Sequence, residues 1–165
     1  MKKELIERMK LDSACLITSH QDLYKKIISN LIKPFKDKKI TKVAAIESKG
    51  YLYGPLIAYK LKIPFIPIFK SGRIPKKFVK SGKFKDYSKK IKSIDIGKIT
   101  IKKGDKILLI DDVFETGESA KTAIKIIEKL GGEIVGISII YNKMNKKEEY
   151  FFKKYNLNYL IKMDK

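Results

Sequence analysis

The chain has 165 residues, 44% of them hydrophobic, which is enough for one packed domain and too apolar for a disordered segment. With 38 Lys and Arg against 18 Asp and Glu it carries a formal charge of +20, which favours polyanionic partners such as nucleic acid, an acidic membrane or phosphorylated metabolites. A single cysteine, Cys15, and a single histidine, His20, argue against an internal disulfide, a cysteine-built zinc site and a triad drawing on a second histidine.

No apolar run reaches the roughly 18–20 residues of a membrane span. Charges scattered through the opening MKKELIERMKLDSACL argue against a secretory signal, so a cytoplasmic location is expected. Lysines run along the whole chain instead of gathering in one arm, and a solvated lysine-rich surface explains the charge as well as an anionic partner does.

In chain order, Ser19, His20, Gln21 and Asp22 read as a helix-starting capping box with Ser19 as the cap. Leu23, Ile27, Leu31 and Phe35 follow at helical spacing, and Pro34 helps end the element. Residues 42–47 (KVAAIE) read as a buried strand, 48–50 as a turn and 53–61 as a helix. Residues 63–69 form a second strand, short or irregular because it holds two prolines. Between Lys76 and Lys92 there are eight lysines and one acid, with Gly82 among them and no sustained periodicity. That predicts a long loop over residues 76–95, and such a loop inside a domain is usually functional or mobile.

Residues 106–110 are a strongly apolar strand. Ala120, Ala123, Ile124, Ile127 and Leu130 line one face of a helix that Gly131 and Gly132 stop. A strand over 134–141, a polar helix over 146–155 and a short strand over 158–162 complete the chain. Strands alternating with helices predict a single α/β domain over residues 1–165, with a mainly parallel twisted sheet flanked by helices.

The stretch ILLIDDVFETGESA, residues 107–120, concentrates the chemistry. An apolar strand runs into Asp111 and Asp112, where ligands bind in an open α/β sheet. Residues 115–119 then turn into a helix N-terminus, which favours an anion. Thr116 and Ser119 add hydroxyl donors, and Gly117 lets backbone approach closely. A sugar phosphate needs both halves: carboxylates for its hydroxyls and the turn for its phosphate. Two solvated aspartates before a helix cap are the plainer alternative. Neither a G-x-x-x-x-G-K-[ST] nor a G-x-G-x-x-G pattern occurs.

This stretch resembles the phosphoribosyl pyrophosphate motif of type I phosphoribosyltransferases: apolar residues, two acids, then a T-G-x-[ST] loop. A second stretch, AIESKGYLYGPLIAYKLKIPFIPIFKSGRIP over residues 45–75, is similar to the pattern of the adenine-using members, D-S-R-G-F-x-F-G-P followed by a helix, a strand and a K-x-G-K-L-P turn. The two lie in the family's order and near its spacing.

The resemblance implies the type I phosphoribosyltransferase fold, with a small N-terminal hood and a mobile lid at 76–95. It implies that Asp111 and Asp112 hold the ribose hydroxyls and that Glu115, Thr116, Gly117, Glu118 and Ser119 hold the 5′-phosphate. Glu47, Ser48, Lys49 and Gly50, with Lys70 and Arg73, would take the pyrophosphate. Asp111, Asp112, Asp86 and Glu115 are the candidates for catalysis, Asp86 standing nearest the family's lid carboxylate. The implied cofactor is Mg²⁺ carried by the substrate, with no metal held directly by the protein. The implied partners are phosphoribosyl pyrophosphate, a purine base and a second subunit, with neither nucleic acid nor membrane.

The expected reaction converts adenine and phosphoribosyl pyrophosphate to AMP and pyrophosphate. The alternatives are a hypoxanthine/guanine enzyme of the adenine-like type, or a transcriptional regulator that keeps the fold to sense its ligand. The chain departs from the family at Glu118, an acid where a second glycine is usual, and in lacking a clear F-R-D-I segment, which Leu16, Ile17 and Thr18 fit loosely.

Overall fold

The computed structural model of the protein describes residues 17–163. The readings on Cys15 and Leu16, and the expected hood where it falls in residues 1–16, lie outside them. Leu23, Ile27 and Leu31 form the buried stripe of helix α1 (Gln21–Ile32), and Phe35 follows in a short 3₁₀ turn that contains Pro34. The start of α1 differs from the expected capping box. His20 is the cap residue and no side chain caps the helix, while the Ser19 hydroxyl lies 3.1 Å from His20 Nδ1.

Among the described residues seven strands form one sheet: β1 (Lys42–Ile46), β2 (Phe65–Lys70), β3 (Val79–Lys85), β4 (Ile91–Gly97), β5 (Lys106–Phe114), β6 (Glu133–Asn142) and β7 (Leu157–Lys162). Their order is β3-β4-β2-β1-β5-β6-β7. The strands β2, β1, β5, β6 and β7 run parallel, as expected, and β3 and β4 add an antiparallel pair. Helix α2 (Gly54–Leu61) lies between β1 and β2 in the chain, α3 (Glu118–Lys129) between β5 and β6, and α4 (Lys146–Tyr150) between β6 and β7.

Strand alternation divides the core in two. Val43, Ala45, Leu108 and Ile110 face a cluster with Leu23, Ile27 and Leu31 of α1 and Ile57 of α2. Ala44, Ile46, Ile107 and Leu109 face the opposite cluster with Ala120, Ala123, Ile124 and Ile127 of α3. Both faces of the central strands are thus covered, which is why they read as continuous apolar runs.

Pro67 lies inside β2, an interior strand, because its position needs no donor. Pro64 and Ile68 turn their carbonyls toward β1, so alternation points Pro67 toward β4, and the β4 ladder begins one residue later at Ile68.

The long loop expected at 76–95 is in fact mostly hairpin: β3 and β4 pair from Val79–Gly97 to Lys85–Ile91. The lysines hid a period of two. Gly82 and Phe84 turn toward α3 or its core cluster, with Thr122 and Ile126 of α3 against Gly82, while Lys83 and Lys85 face solvent. At the other end of the chain α4 stops at Tyr150, earlier than the expected helix, and a 3₁₀ turn, Lys153–Tyr155, follows.

A capping box absent from the sequence reading starts α4. Glu148 N donates to Asn145 Oδ1 at 2.9 Å and Asn145 N donates to Glu148 Oε2 at 2.8 Å. Asn145→Ala should lower stability by about 1 kcal/mol, read by denaturant unfolding. An unchanged midpoint would show that tertiary packing alone holds this short helix.

Candidate active site

The pairing of β1 with β5 ends at Ala45–Ile110, whereas β5 stays paired with β6 as far as Phe114. Residues 111–114 therefore continue the strand beyond the expected end at 110 and keep one open edge. That edge faces the turn after β1. The chain leaves β1 toward β2 while β5 lies on its other side, a topological switch point, where ligands of α/β sheets bind. A cavity of about 400 Å³ opens here.

Asp111 and Asp112 form its floor. Asp111 is only 7% exposed, which counts against the plainer alternative of two solvated aspartates. Its Oδ1 accepts from Asp112 N at 2.9 Å. Burial pushes the Asp111 carboxyl well above the ordinary range, and the neighbouring Asp112 charge pushes it further. Burial also raises Asp112, against the opposing pull of the Lys49 ammonium. The turn after β1 runs close against this pair: a Cβ on Gly50 would lie 3.1 Å from Asp111 Oδ1 and 3.2 Å from Ile110 O.

The second wall is the turn into α3, with Glu115, Thr116, Gly117, Glu118 and Ser119 all lining the cavity. Gly117, at φ 74°, is the cap residue, and no side chain bonds the helix start. The opening amides of α3 thus have no intrahelical partner and suit an anion. Two acids beside such an anion would repel it, and each is held by a lysine. Glu118 pairs with Lys121 at 2.7 Å, and Glu115 pairs with Lys143 at 2.7 Å.

Ser48, Lys49 and Lys70 line the third side with Glu47. The Glu47–Ser48 peptide is cis. Glu47 Oε2 accepts from Lys70 N at 2.7 Å, and Oε1 lies 3.0 Å from Arg73 Nη2. Glu47 therefore organises the cations around it. Arg73 is 61% exposed and stands outside the cavity lining, and so does Gly50, whose backbone packs behind it.

The β3–β4 hairpin closes the remaining side through Phe84, Asp86, Tyr87, Lys92 and Ile94. Asp86 accepts from Ser88 N at 2.9 Å, Ser88 Oγ at 2.7 Å and Lys90 N at 3.1 Å, and pairs with Lys92 at 2.5 Å. The bond to Lys92, followed by that to Ser88, holds its carboxyl at about 2. A carboxylate so far below neutrality is a weak base. Asp86 braces the hairpin turn, a role the sequence reading did not give it. Phe84, Tyr87, Lys92 and Lys143 escaped that reading. The first three belong to strands or a turn masked by lysines, and Lys143 meets Glu115 only through the β5–β6 pairing.

A carboxylate pair and an anion-accepting helix start sharing one cavity give an α/β protein a site suited to a sugar phosphate. The phosphoribosyl transferase domain model matches residues 16–164, and the chain belongs to that family. An adenine phosphoribosyltransferase of Clostridium botulinum (strain Hall) is 34% identical over 134 residues, 81% of this chain and 77% of that protein. Among solved structures, the adenine phosphoribosyltransferase of Rhodothermus marinus is similar with a TM-score of 0.81 and 27% identity, over 89% of this chain and 83% of that one. The Giardia lamblia enzyme, solved with 9-deazaadenine, gives the same TM-score, identity and coverage. No helix among the described residues is long and apolar enough to cross a membrane.

Proposed function

We propose that this protein transfers the 5-phosphoribosyl group from phosphoribosyl pyrophosphate to adenine, giving AMP and pyrophosphate. The observation that carries the reading is the pair of buried Asp111 and half-buried Asp112 opening into the same cavity as the start of α3. Relatives named adenine phosphoribosyltransferase give it the base.

In this reading Asp111 and Asp112 bond the ribose 2′- and 3′-hydroxyls, and the turn of residues 115–119 takes the 5′-phosphate on backbone amides with Thr116 and Ser119. Lys49 and Lys70 face the diphosphate, while Glu47 orients Arg73 at its edge. Displacement at C1 passes through an oxocarbenium-like state, which the carboxylates beneath it stabilise. The hairpin wall carrying Phe84 and Tyr87 is placed to limit entry of water, whose attack is the competing reaction.

Apart from the ammonium groups of Lys49, Lys70 and Lys92, the polar side chains lining the cavity offer oxygens, among them the carboxylates of Asp111 and Asp112 and the hydroxyls of Ser48, Thr116 and Ser119. That set suits a hard cation. No three His, Cys, Asp or Glu gather as a cage among the described residues. The residues fit Mg²⁺ carried by the diphosphate, and the ion would supply positive charge against the leaving group. A cytoplasmic homodimer is the setting we infer for this activity.

Glu115 favours a second reading. Its carboxylate lines the cavity beside Lys143, and a carboxylate there can exchange a proton with N7 of a 6-oxopurine. Adenine presents a donor at C6 and an acceptor at N1, and the 6-oxopurines present the opposite, so one site cannot satisfy both. A panel of free bases with phosphoribosyl pyrophosphate and Mg²⁺ decides. We expect kcat/KM for adenine to exceed that for hypoxanthine and guanine by at least about tenfold, 1.4 kcal/mol. Preference for a 6-oxopurine, lost in Glu115→Ala, would establish the second reading instead.

A further inference from the structure

Asp95 lies on β4, opposite Phe69 of β2 and Ser81 of β3, and is 2% exposed. It does not line the cavity. A carboxylate buried away from the reacting centre needs partners that hold it there. Its Oδ1 accepts from Ser71 Oγ at 2.6 Å, and its Oδ2 from Gly72 N at 3.1 Å. Ser71 N donates to Ser93 O at 3.0 Å, so the same turn is fixed to β4 a second time. Burial acts to raise the Asp95 carboxyl, but the bonds from Ser71, Ser81 and Gly72 and the nearby Lys76 charge outweigh it. The group stays ionised at neutral pH.

The turn so held has a specific place. Lys70, immediately before it, lines the cavity and gives its backbone N–H to Glu47. Arg73, immediately after it, pairs with the other oxygen of the same carboxylate. Gly72, at φ 95°, makes the bend between them. Without the bonds to Asp95 the turn keeps only its Ser71 N–Ser93 O tie to β4, and Glu47 alone links Lys70 to Arg73.

We propose that Asp95 is a positioning residue for the diphosphate end of the donor substrate, acting through the Ser71–Gly72 turn to set where Lys70 and Arg73 stand. The proposal rests on the reading of Lys70 and Arg73 as diphosphate-binding residues in a phosphoribosyl transfer. It separates Asp95 from a core carboxylate that merely holds the hairpin. A structural strut affects how much protein is folded, whereas a positioning residue affects one substrate only.

Initial rates of the full chain, with each substrate varied in turn, test this. In Asp95→Asn the charge is lost and one oxygen becomes an NH2 donor, so only one of the two bonds from Ser71 Oγ and Gly72 N can still be accepted, and the other survives only as a neutral bond with the Ser71 hydroxyl turned to accept. KM for phosphoribosyl pyrophosphate should rise about tenfold, 1.4 kcal/mol, with kcat and KM for adenine within about twofold. Ser71→Ala removes one bond at an exposed residue and should give a smaller rise, about threefold, in the same constant alone. If Asp95→Asn does not fold, Ser71→Ala decides by the same readout. An unchanged KM for phosphoribosyl pyrophosphate in the folded variants, or an equal rise in both KM values, overturns the positioning role. A wild-type protein that consumes no phosphoribosyl pyrophosphate with any purine removes the underlying reading and this inference with it, and that failure is seen before any variant is made.

Discussion

Replacing Asp111 and Asp112 together by Asn is expected to lower turnover by at least about 100-fold, near 2.7 kcal/mol of transition-state stabilisation. The same change should make the protein more stable at neutral pH. Asn keeps the size of each side chain and, at 111, an oxygen to accept from the backbone N–H of residue 112. It removes the ionisable groups of a buried and a half-buried carboxyl that stand side by side. Their carboxyl groups are raised above the ordinary range by burial and, at Asp111, by the charge of Asp112.

A carboxyl raised in the folded state binds its proton more tightly there than in the unfolded chain. Its contribution is therefore fully present below the unfolded value of about 3.9 and is lost as pH rises through the higher folded value. The wild type gives up this stability on going from acid to neutral pH, and the double variant does not. Thermal unfolding followed between pH 4 and 8 should show the variant gaining on the wild type as pH rises, while its activity stays low throughout. Near-normal turnover in the folded variant would sink the site assignment. A variant that unfolds more easily at pH 7 would show instead that the pair is held by compensating bonds.

The parallel sheet and the centre of the site were legible because they depend on local pattern. The apolar run before Asp111 and the Thr-Gly-x-Ser turn after it are adjacent in sequence, and a strand end followed by a helix start brings them to one place whatever surrounds them. The helix faces of α1 and α3 were legible for the same reason, since a period near 3.6 survives in Leu23, Ile27 and Leu31 and in Ala120, Ala123, Ile124 and Ile127. The hairpin was not. Its strands lie at the sheet edge, where half the side chains meet solvent, and lysine fills those positions in a chain rich in lysine. Only Phe84, Ile94 and Ile96 report the buried side, too few to outweigh the composition.

Partners distant in sequence were equally hidden. Glu47 bonds residues 70 and 73, Glu115 bonds Lys143, and Asp95 bonds Ser71. In each case a strand register decides which carboxylate meets which donor, and register is set by tertiary packing. The sequence posed the puzzle of acids beside a phosphate loop at Glu115 and Glu118. The answer, a lysine against each, needed α3 for one and the β5–β6 pairing for the other.

Gly117→Ala is expected to cost both stability and substrate binding. Two effects add at this position. The residue sits at φ 74°, where a Cβ costs roughly 1–2 kcal/mol. The added carbon would also come within 2.5 Å and 2.6 Å of two ring carbons of Phe152 and 2.9 Å of Met144 Sδ. Neither neighbour has room to retreat, since Phe152 is 0% exposed and Met144 1%, and the Phe152 ring packs 5.2 Å from that of Phe114. Overpacking of this kind costs about 1–3 kcal/mol more. The melting temperature should fall by on the order of 10 °C. Relief by shifting the backbone would move the turn at residues 115–119 into the cavity, so KM for phosphoribosyl pyrophosphate should rise at least about tenfold, 1.4 kcal/mol. Gly104→Ala isolates the backbone part, because Gly104 has φ 86° with nothing within 4 Å of an added Cβ. It should lose only the first increment and leave KM unchanged. Equal losses of stability in the two variants, with KM unaltered in both, would mean that Phe152 yields freely and that the turn of residues 115–119 does not depend on the packing behind it.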